Sequence, residues 1–325
     1  MMDWRAERDS ALLALEREKR PALRAEAADQ LFQLASEVPG RGPDFVDALP
    51  RLLVDKQPEV RRAGVRLATA VLPEDEQPAT LLPRLRDDEW MVRLEATGRL
   101  ADLYRQDLRG ALASMLEDPM PEVRFEAARG IAGLGHAAGL EVLLEALDAD
   151  LLRFRALGAL GQLKDARALP AVKRLFHRWL LPAFDKTQAA GVLAELGDPE
   201  GATYLLQRAQ KKKWNPDRAL AVELCGAVKA PGALEQLKAI LDDPKDECRG
   251  AAARGLGRLG DERALPWLLA LLDERSADED FRLDAADALW RLGLPEGRER
   301  VRASISTFTT PEGRMELEEL VQEEP

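Results

Sequence analysis

Histidine and cysteine are rare in this sequence, and no pair among its 58 acidic residues stands out as a general acid and base. Its 325 residues include two histidines, His136 and His177, and two cysteines, Cys225 and Cys248. Schemes that need several imidazoles are excluded by count, and neither cysteine lies in a CxxC or Cys/His spacing typical of a metal site. Nucleotide-binding loops and a GxSxG nucleophile turn are also missing from the sequence. We therefore expect no catalytic residues, no metal and no cofactor.

A pattern of fourteen residues organises the chain instead. Its clearest copies begin at Val123, Cys248 and Phe281, and six weaker copies bring the total to nine. The second position of every copy is basic. These nine residues are Arg24, Arg61, Arg93, Arg124, Arg153, Lys186, Arg218, Arg249 and Arg282. Their spacing stays between 29 and 37 residues, which is the sequence signature of a repeat protein.

Each copy of the pattern predicts an amphipathic helix. On a helix, its first, fifth, eighth, ninth and twelfth positions cluster within about 100° and carry mainly Val, Ala and Leu. A second apolar segment lies between copies and is separated from them by Asp, Pro or Gly, so the unit is a helical hairpin. Such hairpins must stack to bury both apolar sides. Cys225 and Cys248 fall on the core stripe, which predicts buried, inert thiols.

The repeats resemble HEAT repeats of the short type named after phycobilisome lyases. The residues that carry the resemblance are acid–arginine pairs six positions apart: Asp55 with Arg61, Asp87 with Arg93, Asp118 with Arg124, and Asp243 with Arg249. The resemblance implies an all-α fold, a right-handed α-solenoid of about nine stacked hairpins, in which these residues form a hydrogen-bonded ladder between repeats. It covers roughly residues 12–294. We expect a repeat solenoid over residues 1–294 and a capping helix with an acidic tail over 295–325.

One candidate binding surface lies in three consecutive repeats. In this family the second helix of each hairpin lines the concave groove, and the third pattern position should face it. That position holds Leu94, Phe125 and Phe154, with Arg129 and Arg155 beside them. Aromatic residues next to arginine are typical of binding hot spots. The alternative is that the helical phase is off by one residue and these side chains pack inside.

A second candidate surface is a local basic patch. Residues 164–218 carry 11 basic and 6 acidic side chains, whereas the whole chain has a net charge of −11. The patch comprises Lys173, Arg174, Arg178, Arg208, Lys211, Lys212, Lys213 and Trp214. Such a surface suits an acidic protein or the phosphates of a nucleic acid. Lysines near a helix C-terminus also have an ordinary explanation in the helix dipole.

These features favour a noncatalytic scaffold that binds a protein or peptide in its groove. One alternative is a nucleic-acid binder resembling the HEAT-like DNA glycosylases, which the acidic net charge disfavours. Another is a lyase or chaperone-type subunit resembling the bilin lyases. Deoxyhypusine hydroxylase has similar repeats, but its repeated His-Glu motifs are missing from this sequence. The chain has no apolar stretch of membrane-spanning length, and we expect a cytoplasmic protein.

Overall fold

The computed structural model describes residues 4–37, 42–211, 213 and 215–322. Across these residues the chain forms twenty α-helices, several short 3-10 segments and no strand, which confirms the predicted all-α class. Within the same ranges, no helix is long and apolar enough to cross a membrane. The chain divides into two compact units, one ending at Ala149 and the other beginning at Asp150.

The first unit contains four complete hairpins followed by one further helix. Its nine helices, in chain order, are α1 (Trp4–Arg17), α2 (Pro21–Glu37), α3 (Leu49–Leu52), α4 (Pro58–Val71), α5 (Gln77–Leu81), α6 (Trp90–Asp102), α7 (Arg109–Ser114), α8 (Pro121–Gly133) and α9 (Leu140–Ala146). The even-numbered helices carry the fourteen-residue pattern. They pack side by side, α2 on α4, α4 on α6 and α6 on α8, while the odd-numbered helices cover one side of this layer.

The second unit begins with one pattern-bearing helix, continues with four hairpins and ends with two further helices. Its helices are α10 (Arg153–Leu163), α11 (Leu169–Phe176), α12 (Ala183–Glu195), α13 (Pro199–Ala209), α14 (Pro216–Ala227), α15 (Ala233–Asp242), α16 (Arg249–Leu259), α17 (Leu265–Asp273), α18 (Glu279–Leu292), α19 (Pro295–Ser304) and α20 (Pro311–Gln322). The pattern-bearing helices α10, α12, α14, α16 and α18 again pack consecutively. All nine predicted second helices are therefore formed.

The core follows the predicted apolar stripe. The first position of the pattern is fully buried at Val60, Val92 and Val123, and Cys225 at a ninth position is also fully buried. Alanine and leucine from the odd-numbered helices complete the layer between the two sets of helices. Burial of this kind supplies most of the stability of helices that are each too short to persist alone.

The first helices of several hairpins are much shorter than the second helices that follow them. In the third hairpin, α5 ends at Leu81 and gives way to a 3-10 segment, Leu82–Arg86. Pro83 lies in that segment, and its missing N–H removes an α-helical hydrogen bond. The 3-10 geometry continues the chain in the same direction with fewer residues per turn.

Helix ends agree with the residues that predicted them. The side chain of Asp198 accepts a hydrogen bond from the backbone N–H of Glu200 at the start of α13, as an N-cap does. Gly197 and Gly260 have φ values of +85° and +73°, a left-handed conformation in which glycine meets no Cβ clash. Each stops a second helix and starts the next hairpin.

The chain after α18 packs against this last pattern-bearing helix. Arg282 of α18 is almost fully buried, donates to the hydroxyl of Thr307 at 2.8 Å and lies over the ring of Phe308, 4.2 Å from its centroid. Glu279 accepts hydrogen bonds from the backbone and hydroxyl groups of Thr309 and Thr310, and these bonds lower its pKa to about 2. The segment thus closes the end of the second unit.

Side-by-side packing of second helices yields a first prediction. A Cβ on Gly226 of α14 would overlap the carbonyl group of Gly255 on α16, whereas a Cβ on Gly158 of α10 would meet only the amide of Gln188 at 4.0 Å. Gly226→Ala should therefore lower the free energy of unfolding by about 2 kcal/mol, because the two backbones must separate. Gly158→Ala should raise it by up to about 1 kcal/mol through helix propensity. Urea denaturation of both variants measures this, and equal effects would contradict close backbone contact.

Candidate interaction surface

A ladder of largely buried arginines connects several hairpins to the hairpin that follows. Arg61 donates to both carboxylate oxygens of Asp87 in the following repeat, at 2.6 and 2.8 Å, and Arg93 does the same to Asp118 at 2.7 and 3.0 Å. Each arginine also donates to a backbone carbonyl of its own turn, Arg61 to Asp55 and Arg93 to Asp87. The guanidinium therefore joins two repeats through two edges of one planar group.

The same ladder recurs in both units. Its other acidic rungs are Arg24 with Asp55, Arg153 with Asp185, Arg218 with Asp246, and Arg249 with Glu274. Three of the four predicted pairs six residues apart are linked through the backbone carbonyl of the aspartate, Asp55 with Arg61, Asp87 with Arg93 and Asp118 with Arg124. The carboxylate contacts run to the following repeat instead. Arg124 follows the backbone half of this rule by donating to the carbonyls of Asp118 and Pro119.

One predicted ladder acid is wrong. Asp243 accepts a hydrogen bond from the backbone N–H of Lys245, while Asp246 makes the ladder contact with Arg218, at 2.7 and 2.8 Å. The turn between α15 and α16 holds two successive bends, and the second one places its acid beside the preceding repeat. The six-residue spacing selects Asp243, but the path of the turn places Asp246 next to Arg218.

The turn aspartates have a second task within their own repeat. Asp87 and Asp118 each accept the backbone N–H two residues later, at 3.0 and 2.9 Å, which starts the following helix. Burial raises the pKa of these two carboxyls, but the arginine and backbone N–H groups outweigh burial, so both pKa values lie below the ordinary 3.8. The carboxylates are therefore held as anions.

The sixth repeat breaks the ladder. Its second-position residue is Lys186, whose ammonium lies 4.9 Å from the ring centroid of Phe176 and 5.7 Å from that of Tyr204. Asp198, the N-cap of α13, contacts Lys173 at 2.6 Å. In this repeat the acid that pairs with Arg153 is Asp185, which lies at the start of α12 rather than in the turn. The turn itself is left without a carboxylate.

The predicted groove residues of the first unit are not an exposed apolar surface. Phe125 is 1% exposed, so the expectation that it faces the groove is wrong. Its position lies opposite the core stripe, but side-by-side packing buries more of each second helix than the stripe alone. Leu94 is half-buried, and Arg129 contacts Glu126 at 2.8 Å and Asp102 at 2.7 Å.

In the second unit the third-position aromatic residue is accessible. Phe154 near the start of α10 is 41% exposed and stacks on Phe184 of α12, with ring centroids 5.2 Å apart and an interplanar angle of 28°. Phe184 is itself 37% exposed, and Arg155 next to Phe154 is exposed as well. Sequence reasoning missed Phe184, because it precedes the pattern of its repeat.

The predicted basic patch is partly neutralised within the chain. Lys173 pairs with Asp198, and Arg208 pairs with Asp217 and with the side-chain oxygen of Asn215. Arg174, Arg178, Lys211 and Lys213 are exposed, whereas Lys212 and Trp214 lie outside the described residues. The cations that remain at the surface flank the turn between α11 and α12 and the end of α13.

The two histidines contact polar neighbours, and the two cysteines are buried. His136 lies 3.3 Å from both Gln106 and Arg109, and His177 lies 3.2 Å from Glu200. Burial raises the pKa of the Cys225 thiol to about 12 and also raises that of Cys248. The described part of the chain holds no group of three or more His, Cys, Asp or Glu side chains placed to bind a metal ion.

Helical hairpins stacked through a buried arginine–acid ladder define a helical-repeat protein. Residues 78–152 and 215–290 match the family described as HEAT repeats, and residues 152–177 match the PBS lyase HEAT-like repeat. The chain belongs to the HEAT-repeat family and includes a repeat of the phycobilisome-lyase type.

Known relatives resemble parts of the chain. Protein YibA of Escherichia coli strain K12 is 27% identical over 164 residues, which are 50% of this chain and 58% of that protein. The chain therefore spans less than two thirds of the curated relative that it matches.

Solved structures share the helical-repeat fold at low identity. The complex of CpcE and CpcF of phycocyanin lyase from Nostoc sp. PCC7120 is 18% identical with a TM-score of 0.47, covering 75% of this chain and 93% of that chain. Kap121p is 13% identical with a TM-score of 0.39, covering 96% and 40%. Human deoxyhypusine hydroxylase is 19% identical with a TM-score of 0.30, covering 87% and 98%.

The ladder predicts unequal roles for two adjacent aspartates. Asp87 and Asp88 both accept a hydrogen bond from Arg61, but their side chains are 5% and 85% exposed. Asp87→Asn should lower the free energy of unfolding by roughly 3 kcal/mol, because it removes the buried, two-oxygen contact to the guanidinium and leaves only the exposed carboxylate of Asp88 beside it. Asp88→Asn should cost less than about 1 kcal/mol. Urea denaturation compares the two, and similar losses would show that burial of the rung is unimportant.

The lowered pKa values predict an acid-dependent loss of stability. Since the pKa of Asp118 is lower in the folded chain than its ordinary 3.8, its stabilisation is fully present above that value and is lost as pH falls toward the folded pKa. The difference in unfolding free energy between wild type and Asp118→Asn should be constant above about pH 5 and shrink below about pH 4. Denaturation at a series of pH values tests this, and a difference that persists unchanged in acid would refute it.

Proposed function

We propose that the chain is a protein-interaction scaffold that binds a protein or peptide partner on the second-helix face of its second unit. HEAT-repeat proteins typically serve partner binding, and this family assignment supports the general class. The specific support is the accessible Phe154–Phe184 pair, a stacked aromatic surface on two neighbouring second helices.

Aromatic pairs of this kind suit a binding surface for physical reasons. Stacked rings are held in one conformation before binding, so little side-chain entropy is lost when a partner covers them. Exposed aromatic area also supplies hydrophobic free energy on burial. Arg155 adds a cation at the edge, a composition that is enriched in binding hot spots. The proposed binding surface is therefore centred on Phe154 and Phe184 and does not include the buried Phe125.

Other exposed polar features support nucleic-acid binding less well. Lys173 and Arg208 of the predicted basic patch are engaged with Asp198 and Asp217. A nucleic acid that recruited them would first have to break those ion pairs. The remaining cations lie in a chain with a net charge of −11, which repels an extended polyanion.

Replacing both rings tests the proposal. Partners are captured from native lysate with the immobilised chain, identified by mass spectrometry, and one is purified for titration. Phe154→Ser with Phe184→Ser should weaken that partner at least about tenfold, a loss of about 1.4 kcal/mol or more, because two anchoring rings are removed. Both side chains are partly exposed, so the melting temperature should change little.

A matched control uses an aromatic residue of the first unit. Trp90 at the start of α6 is 36% exposed, and Trp90→Ser should leave affinity unchanged. Unaltered binding by the double variant, or an equal loss from Trp90→Ser, would rule out the proposed surface.

A further inference from the structure

A cleft in the first unit is lined by residues of the first two hairpins. It has a volume of about 800 Å³, a size typical of pockets that bind small molecules. Its apolar lining comes from Leu15 of α1, from Leu52 at the end of α3 and from Val54 just beyond it. Leu15 and Leu52 are buried, whereas Val54 is 74% exposed, more than any other large hydrophobic side chain described in this unit. An apolar group in the cleft would therefore remove Val54 from water.

Arg24 borders this cleft and forms an incomplete rung of the ladder. Arg61 and Arg93 use all three guanidinium nitrogens, two on a carboxylate and one on backbone carbonyls of their own turn. Among the described residues, the Arg24 guanidinium donates only to the carboxylate of Asp55, through Nη2, and its Nε is shielded from solvent without an acceptor. Buried donors are normally satisfied by protein, by water or by a ligand. The side chain is 26% exposed, so this guanidinium reaches the surface with unused hydrogen-bonding capacity.

The two carboxylates that line the cleft are already engaged. Glu16 forms an ion pair with Arg51 at the rim. Asp55 accepts hydrogen bonds from Arg24 and, at 2.9 Å, from the backbone N–H of Gln57. Each acid thus has a cation of its own, and neither neutralises a further one.

Two lysines of the cleft are left without a counter-ion. Lys19, between α1 and α2, and Lys56, in the turn before α4, are exposed and form no ion pair with any residue that the structure describes. Glu18 beside Lys19 is paired with Arg20 at 2.9 Å. The lining therefore holds four cations against two carboxylates, a net charge of +2 in a chain whose net charge is −11. This local charge favours an anion.

We infer that the cleft binds a small organic anion with an apolar body, of the fatty-acid or aromatic-carboxylate class. The carboxylate lies between Lys19 and Lys56 and accepts a hydrogen bond from Arg24, while the apolar body covers Val54. The site is a small-molecule site in the first unit, and the inference does not depend on the protein-binding surface proposed for the second unit.

The two kinds of lining select for a ligand that is both charged and apolar. A neutral compound of the same shape would cover Val54 but would gain nothing from the two lysines. An inorganic anion would gain the charge interaction and leave the apolar lining in water. Only a compound with both features gains both contributions, and a small one pays little conformational entropy on binding.

Calorimetric titration of the full chain with three simple compounds tests the inference. Octanoate carries a charge and an apolar chain, octanol has the chain without the charge, and acetate has the charge without the chain. We expect octanoate to bind at least about tenfold more tightly than either of the others, and its affinity to fall as salt rises.

Two substitutions at the cleft should change this affinity in opposite directions. Lys56→Glu should weaken octanoate binding by roughly tenfold or more, because the net charge of the lining falls from +2 to zero. Glu16→Gln should strengthen it by about threefold, because it removes a carboxylate and leaves Arg51 without its partner. Both side chains are exposed, so the melting temperature should change little in either variant. A gain in affinity cannot arise from misfolding.

A matched control changes the charge of the chain by the same amount at another place. Lys245 in the second unit is an exposed lysine without an ion pair among the described residues, and Lys245→Glu should bind octanoate as wild type does. Equal binding of octanol and octanoate, no binding of octanoate, or equal losses from Lys56→Glu and Lys245→Glu would overturn the inference. Weaker binding by Glu16→Gln would contradict it as well.

Discussion

The contact between one buried guanidinium and the acid of the following repeat sets the geometry of each unit. Arg61 and Arg93 each hold a carbonyl of their own turn with one nitrogen and both oxygens of the next carboxylate with the others. Because the guanidinium is planar and rigid, these bonds fix both the distance and the rotation between neighbouring hairpins. The spacing of the second-position basic residues varies from 29 to 37 residues, and the second helices of each unit pack consecutively throughout.

The ladder also explains why one repeat differs from the others. A turn aspartate of this kind accepts hydrogen bonds both from the first N–H groups of its own helix and from the arginine of the preceding repeat. These bonds keep the turn short and polar. In the sixth repeat Asp185 accepts the rung from the start of α12, and Lys186 contacts aromatic rings instead of an acid. The turn between α11 and α12 therefore needs no aspartate to start the helix or to bind the arginine of the preceding repeat. It is there that Trp179 and Leu180 stand exposed, which ties the surface feature to a change in the internal ladder.

The repeat pattern correctly predicted the features that depend on residues within one repeat. It failed for features that depend on packing against neighbouring helices. The second helices, the buried cysteines and the glycine stops follow from residues within one repeat, and the structure confirms them. The exposure of Phe125 depends on helices beside its own, so a helical wheel for a single helix gave the wrong side. The choice of Asp246 over Asp243 depends on the path of a turn. The division at Ala149 lies within the shortest period, between Arg124 and Arg153, and the pattern gives no direct sign of it. The predicted boundary at residue 294 stays a prediction.

Charge pairing on the second helices limits where a partner can gain free energy. In the first unit, Glu95 contacts Arg62 at 3.1 Å and Arg99 at 3.0 Å, while in the second unit Arg254 bridges Glu223 at 3.0 Å and Asp284 at 2.6 Å. A charged partner that binds these groups must exchange one ion pair for another, so the net gain is small. Covering Phe154 and Phe184 removes apolar area from water. Binding free energy is therefore concentrated where the polar network is interrupted, and the ladder that stabilises the fold also determines which part of its surface is left available for a partner.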